Sequence, residues 1–262
     1  MSTSTIDRSA VTPTSDDAAR RRPVTGALLV AAAVLAAIGA AWLSTAFGWP
    51  DVLDEPGSAV LPRFLEAESA VRTAFSLLLV SSLLLIPAAI YLEQLFGDRP
   101  GPGVRVVTAF GVLGGFAQIL GWVRWPVTVP HLAAGYATSD DAARGAISAS
   151  YDVLNRYAGG ALGEHLGWLF QGLWAVGIAI LLLRVTGIPR WFAIVGLALS
   201  VLWLPMLWAS GLFEAEWLAP VGSTISAVWY LWLLALGVVL MVRRVGAVPA
   251  RSAEPTVLIS QP

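Results

Sequence analysis

The sequence predicts an all-α integral membrane protein: a bundle of about six transmembrane helices with an additional external amphipathic helix. Three observations carry this reading. Of the 262 residues, 57% are hydrophobic and 13% charged, and the mean hydropathy is +0.73. A soluble domain is about 45–50% apolar and about 25% charged, so too little polar surface exists here to cover a globule in water. Second, apolar runs long enough to cross about 30 Å of hydrocarbon recur along the chain. Third, arginines collect beside alternate ends of those runs, as the basic excess of cytoplasmic segments requires.

Residues 1–23 are rich in Ser, Thr, Asp and Arg, and such a segment is expected to be a disordered cytoplasmic leader. The first span, 24–47, follows the Arg20-Arg21-Arg22 cluster. A cleaved signal peptide has an apolar region of about 7–15 residues; this run is longer and reads as an uncleaved anchor. Residues 50–69 form an acidic external connection with Pro56 and Pro62 and a short interfacial helix expected around 63–69. The second and third spans, 70–92 and 104–129, are separated by Gly97-Asp-Arg-Pro-Gly-Pro-Gly103, which cannot continue a helix. In the second connection, 131–160, Ser139 is expected to cap a helix that opens with Asp140 and Asp141, where negative charge suits the positive helix end. Ile147, Tyr151, Leu154 and Ala158 share one stripe of it, and Gly159-Gly160 is expected to hinge it against the fourth span. The last three spans are 161–183, 191–213 and 219–242, with Thr186-Gly-Ile-Pro189 turning the chain between the first two of these. Pro87 and Pro205 fall inside spans and predict kinks whose freed carbonyls neighbouring helices satisfy. Residues 246–262 read as a disordered cytoplasmic tail. The transmembrane domain is thus 24–245.

All 16 basic residues are Arg. With the N-terminus inside, the inner segments hold Arg8, Arg20, Arg21, Arg22, Arg99, Arg105, Arg184, Arg190, Arg243, Arg244 and Arg251. The outer ones hold Arg63, Arg72, Arg124, Arg144 and Arg156. Both termini are therefore expected in the cytoplasm. Exclusive use of Arg alongside abundant Ala, Gly, Val and Leu fits a GC-rich bacterial genome, so the expected location is a bacterial cell membrane. Twelve Trp, many near span ends, suit the interfacial belts. The lipid bilayer is the expected partner, and a net charge of −1 excludes nucleic acid, whose phosphates need a basic face. Absence of Cys removes disulfides, iron–sulfur clusters and thiolate nucleophiles.

Polar side chains inside apolar runs are the informative positions, because they are costly there and face protein or water. These are Gln118 and Arg124 in the third span, and Glu164, His165 and Gln171 in the fourth. Gly114, Ala117, Gly121 and Arg124 share one helix face, and so do Gly160, Glu164, Gly167, Gln171 and Ala175. Both faces are lined with small residues, as close-packed membrane helices require. Gly111/Gly115 and Gly163/Gly167 add two small-xxx-small pairs. On antiparallel neighbours Arg124 and Glu164 fall within about 3 Å of the same depth, which predicts an ion pair. That pair either fixes helix register or serves as a proton path or ligand anchor. Gln118 and Gln171 are expected to bond across helices, while Ser44, Thr45, Ser81 and Ser82 are expected to bond back to their own helix. His131 and His165 are the only histidines, and neither has a second ligand at helical spacing, so no metal or other cofactor is expected. The glycines match no phosphate or dinucleotide loop, and no catalytic constellation is arguable.

The run Tyr151-Asp-Val-Leu-Asn-Arg-Tyr-Ala-Gly-Gly-Ala-Leu-Gly-Glu-His-Leu-Gly-Trp168, with Gly121-Trp-Val-Arg-Trp-Pro126 and Gly187-Ile-Pro-Arg-Trp-Phe-Ala-Ile-Val-Gly196, resembles the bacterial membrane proteins grouped as domain of unknown function 4386. The resemblance covers about 24–245. It implies an all-helical, multi-pass architecture and carries no active site. The functional expectation is a multi-pass bacterial membrane protein of unassigned role, non-enzymatic, acting through helix packing or by binding a small ligand or partner. The alternatives are a small-molecule or proton-coupled transporter with its polar site near Arg124 and Glu164, and a haem- or metal-dependent membrane enzyme.

Overall fold

A computed structural model of the chain describes residues 15–97, 100–212 and 218–245. Its helices are α1 Ser15–Phe47, α2 Gly57–Glu66, α3 Glu68–Glu93, α4 Pro102–Trp122, α5 Arg124–Val127, α6 Val129–Thr138, α7 Asp141–Leu154, α8 Gly167–Leu182, α9 Arg190–Leu212 and α10 Leu218–Val242. A π-helical segment, Asn155–Leu166, joins α7 to α8 without a break. Among the described residues, five helical stretches are long and apolar enough to cross a membrane: Arg22–Phe47, Glu68–Phe96, Pro102–Thr138, Asp141–Leu182 and Thr224–Val242. The expected span 191–213 coincides with α9, whose side chains are described as far as Leu204. The molecule is an all-α membrane bundle.

Several local expectations need correction. The leader 1–23 is helical from Ser15 onward; residues 1–14 and the tail 246–262 lie outside the described residues. The short helix of the first connection spans Gly57–Glu66, not 63–69, and Ala67, with ψ 23°, ends it before α3 begins at Glu68. The second connection is barely a loop. The third span carries on through α5 and α6 to Thr138, interrupted at Val123 and Thr128 because Pro126 and Pro130 cannot donate to the carbonyls one turn earlier. Asp140, not Ser139, caps α7, its carboxylate accepting from Ala143 N at 2.9 Å; Ser139 Oγ instead donates to Gly135 O at the end of α6. No hinge forms at Gly159-Gly160, where the π-helical segment is continuous.

The long helices form a closed ring in chain order. The helix α1 packs on α3, α3 on α4, α4 on α8, α8 on α9, α9 on α10, and α10 returns to α1. Glycines let these backbones approach where no hydrophobic force between helices exists in lipid. At the closing seam a Cβ on Gly237 would stand 2.8 Å from Gly26 O. At the α1–α3 seam a Cβ on Gly39 would stand 2.9 Å from Ala74 O. Inside the ring, Trp174, Trp203, Trp229 and Trp232 fill one buried cluster. A second cluster occupies one end of the bundle, where α2, α6 and α7 pack on one another as a cap over Phe47, Phe64, Phe75, Trp125 and Tyr151.

Candidate functional site

The α4 seam with the fourth helical stretch can be followed residue by residue. Cβ atoms built on Gly111, Gly114 and Gly121 would meet Trp174, Gln171 and Gly163 respectively. From the other side, a Cβ on Gly167 would meet Gln118 and one on Gly159 the Arg124 guanidinium. Gly114, Gly121 and Arg124 therefore occupy the expected interface face of the third span. On the fourth stretch Gly167 and Gln171 do so as well, but Gly160 and Glu164 are replaced by their neighbours Gly159 and Gly163. Nothing lies within 4 Å of a Cβ on Gly160. The π-helical segment explains the slip. Its i→i+5 bonds put more residues in each turn than the about 3.6 of an α-helix, so the contact face recurs at every fourth residue, 159, 163, 167 and 171.

This slip removes the expected ion pair. Arg124 is 3% exposed. Its guanidinium donates to Gly121 O and, at 3.0 Å, to Asn155 Oδ1, and its Cζ stands 5.3 Å from the Trp125 ring centroid. Glu164 is close enough for its charge to act on Arg124 through space, yet the two make no ion-pair contact. Ion pairs do form elsewhere, at Arg63–Glu55, Arg72–Glu68 and Arg144–Asp141. Asn155 Nδ2 in turn donates to Leu53 O at 2.8 Å, and Asp152 Oδ1 accepts from Gly57 N, also at 2.8 Å. That carboxylate satisfies an otherwise unpaired N–H at the first turn of α2. The two side chains tie the first connection to the helix that carries them.

Gln118 and Gln171 lie deeper and are joined. Gln118 Nε2 donates to Gln171 Oε1, Ser82 Oγ donates to Gln118 Oε1 at 3.0 Å, and Trp122 Nε1 donates to Ser82 Oγ at 3.2 Å. At the other end Gln171 Nε2 reaches the Tyr230 hydroxyl at 3.5 Å. The chain crosses α3, α4, α8 and α10 and runs in one direction, each amide donating forward. Ser82 also lies 3.0 Å from Leu78 O of its own helix, as expected of it, and Thr45 bonds back to Ala41 O. Ser81 departs from that expectation and donates to Ala32 O of α1 at 2.8 Å. His165 is half-buried and His131 exposed. No group of three metal-ligating side chains forms among the described residues.

The model of the family described as domain of unknown function 4386 matches residues 24–237. The chain belongs to that family. No curated protein and no solved structure matches it. In this member of the 4386 family the matched stretch contains both polar arrangements. Of the five polar residues expected to cluster, Gln118 joins Gln171, Arg124 stands apart under the cap, and Glu164 and His165 lie off the contact face. Sequence reasoning missed Ser82, Trp122 and Tyr230 as partners of the glutamines. It missed Asn155 and Asp152 altogether, although Asn155 stands four residues from both buried Tyr151 and buried Gly159, a spacing that marks a packed face.

Proposed function

We propose that this protein is non-enzymatic and works through its cap, which meets a small molecule or a partner protein at the outer face of a bacterial cell membrane, both termini lying in the cytoplasm. The observation that carries this reading is the use made of the intramembrane polar groups. Gln118, Gln171 and Ser82 bond to one another. A primary amide has fixed donor and acceptor ends, so two in series pass no proton unless each amide tautomerises. The cap, by contrast, offers a groove of about 480 Å³ lined by Ser58, Tyr136, Asp141, Arg144, Ser148 and Asp152, within the size range of small-molecule sites. Arg144 is held there by Tyr136 O at 3.0 Å and stands over the Tyr136 ring at 5.7 Å. A thermal-shift comparison of metabolites and lipids tests the reading. Compounds that stabilise the protein should lose their effect in Arg144→Ala and keep it in Gln118→Leu; the opposite pattern would move the site into the bundle.

Proton-coupled transport is the second reading, favoured by one observation. Glu164 and His165 lie in a π-helical segment, a rare conformation that concentrates at functional sites. Proteoliposomes loaded with a pH-sensitive dye separate the two readings. No proton flux above that of empty vesicles is expected, and a flux that disappears in Glu164→Gln would install the transporter in its place.

A further inference from the structure

Beneath the cap, four buried polar atoms have no protein partner: Arg124 Nε, Trp125 Nε1, Tyr151 Oη and Trp49 Nε1. They belong to one neighbourhood. Arg124 Cζ stands 5.3 Å from the Trp125 ring and the Tyr151 ring 6.2 Å from it, while Trp49 packs on the edge of the same cluster. Trp125 is clamped there by Phe75, stacked at 4.4 Å with the planes 1° apart, and by the edge of Phe47 at 5.3 Å, so its N–H cannot swing out to water.

The chemistry of the set is one-sided. Three of the atoms are obligate N–H donors and the fourth, a phenol, donates as readily as it accepts. A buried donor left unmade loses its hydration without return, and a buried guanidinium that touches no carboxylate lacks the contact that would offset its desolvation. Donors of this kind around a cation, walled by aromatic rings, are the recognition chemistry of an anion. We propose that Arg124 anchors a buried site for a small inorganic anion of the chloride type, completed by the Trp125 and Tyr151 donors and closed by the cap. The two grooves at the surface of the cap do not include these residues.

Purified protein in detergent, with gluconate exchanged for chloride at constant ionic strength, provides the test. The thermal unfolding midpoint should rise and saturate with chloride, as binding to the folded state alone requires, and the chloride NMR line should broaden in the presence of protein. Tyr151→Phe should raise the half-saturating chloride concentration about 2–10-fold, the worth of one hydrogen bond. Arg124→Gln should abolish the dependence, and Arg105→Gln, on the far end of α4, should leave it intact. If Arg124→Gln fails to fold, Tyr151→Phe and Trp125→Phe carry the comparison. A wild-type midpoint and line width indifferent to chloride would mean that water satisfies these donors, and the proposal would fall. A dependence equal in wild type and Tyr151→Phe would place the anion elsewhere and overturn it as well.

Discussion

A methyl group added at Gly159 would run into the Arg124 guanidinium, whereas one added at Gly160 would meet nothing within 4 Å. Gly159→Ala is therefore expected to cost about 1–3 kcal/mol, the usual penalty of overpacking. Gly160→Ala is expected to gain up to about 0.5–1 kcal/mol from reduced backbone freedom. Unfolding in mixed micelles measures both, and equal effects would contradict the register described for this seam. The guanidinium's partner is open to the same treatment. A double-mutant cycle between Arg124→Ala and Asn155→Ala should return a coupling of about 0.5–3 kcal/mol, and the cycle with Glu164→Ala a smaller one, because only the first pair touches. For the glutamines the comparison is between one deletion and two. Gln118→Leu or Gln171→Leu alone strands a buried amide and should cost about 1–3 kcal/mol, while the double leucine variant should come close to wild type. A double variant as damaged as the sum of the singles would mean that the amides bond elsewhere.

At the level of elements, the π-helical segment decides which residues meet. Deleting Gly160 gives Asn155–Leu166 the chance to wind as an ordinary α-helix. Each residue removed turns what precedes it by about 100°, which carries Asn155 away from Leu53 O and Asp152 away from Gly57 N. Hydrogen exchange should then speed up across 51–66 and leave α4 and α8 protected; unchanged protection over 51–66 would show that the cap does not depend on this winding. The segment also marks where sequence reading stops. Span positions follow from apolar length, and Gln171, Gly114 and Gly121 could be placed on a shared seam because α-helical spacing holds around them. A π-turn leaves no compositional trace, so the choice between Gly160–Glu164 and Gly159–Gly163 was invisible, and the ion pair went with the wrong choice. The extension of the third span through α5 and α6 was hidden for a related reason. Pro126 and Pro130 each remove only one donor, and packing of α6 against α2 and α7 keeps the next turn helical.

For the whole molecule, the arginine distribution predicts a sidedness that labelling can check. The chain contains no Cys, so single cysteines report without background. Ser58→Cys and Ala142→Cys, both exposed on the cap, should react with a membrane-impermeant maleimide in intact cells. Gly101→Cys, in the turn before α4, should react only after lysis, and the reverse pattern would invert the proposed orientation. The ring itself has a temporal consequence. Its closing seam joins the first long helix to the last through Gly26 and Gly237. During synthesis the Gly26 face of α1 must therefore wait, in contact with lipid or insertion machinery, until the ribosome has released α10. A nascent protein stopped short of Leu218 carries two unpaired seams at once, on α1 and on α9, and presents quality-control proteases with a bundle that has an edge. Once α10 has joined, the ring of described helices has none, so a single event, the arrival of α10, separates a disposable chain from a durable one.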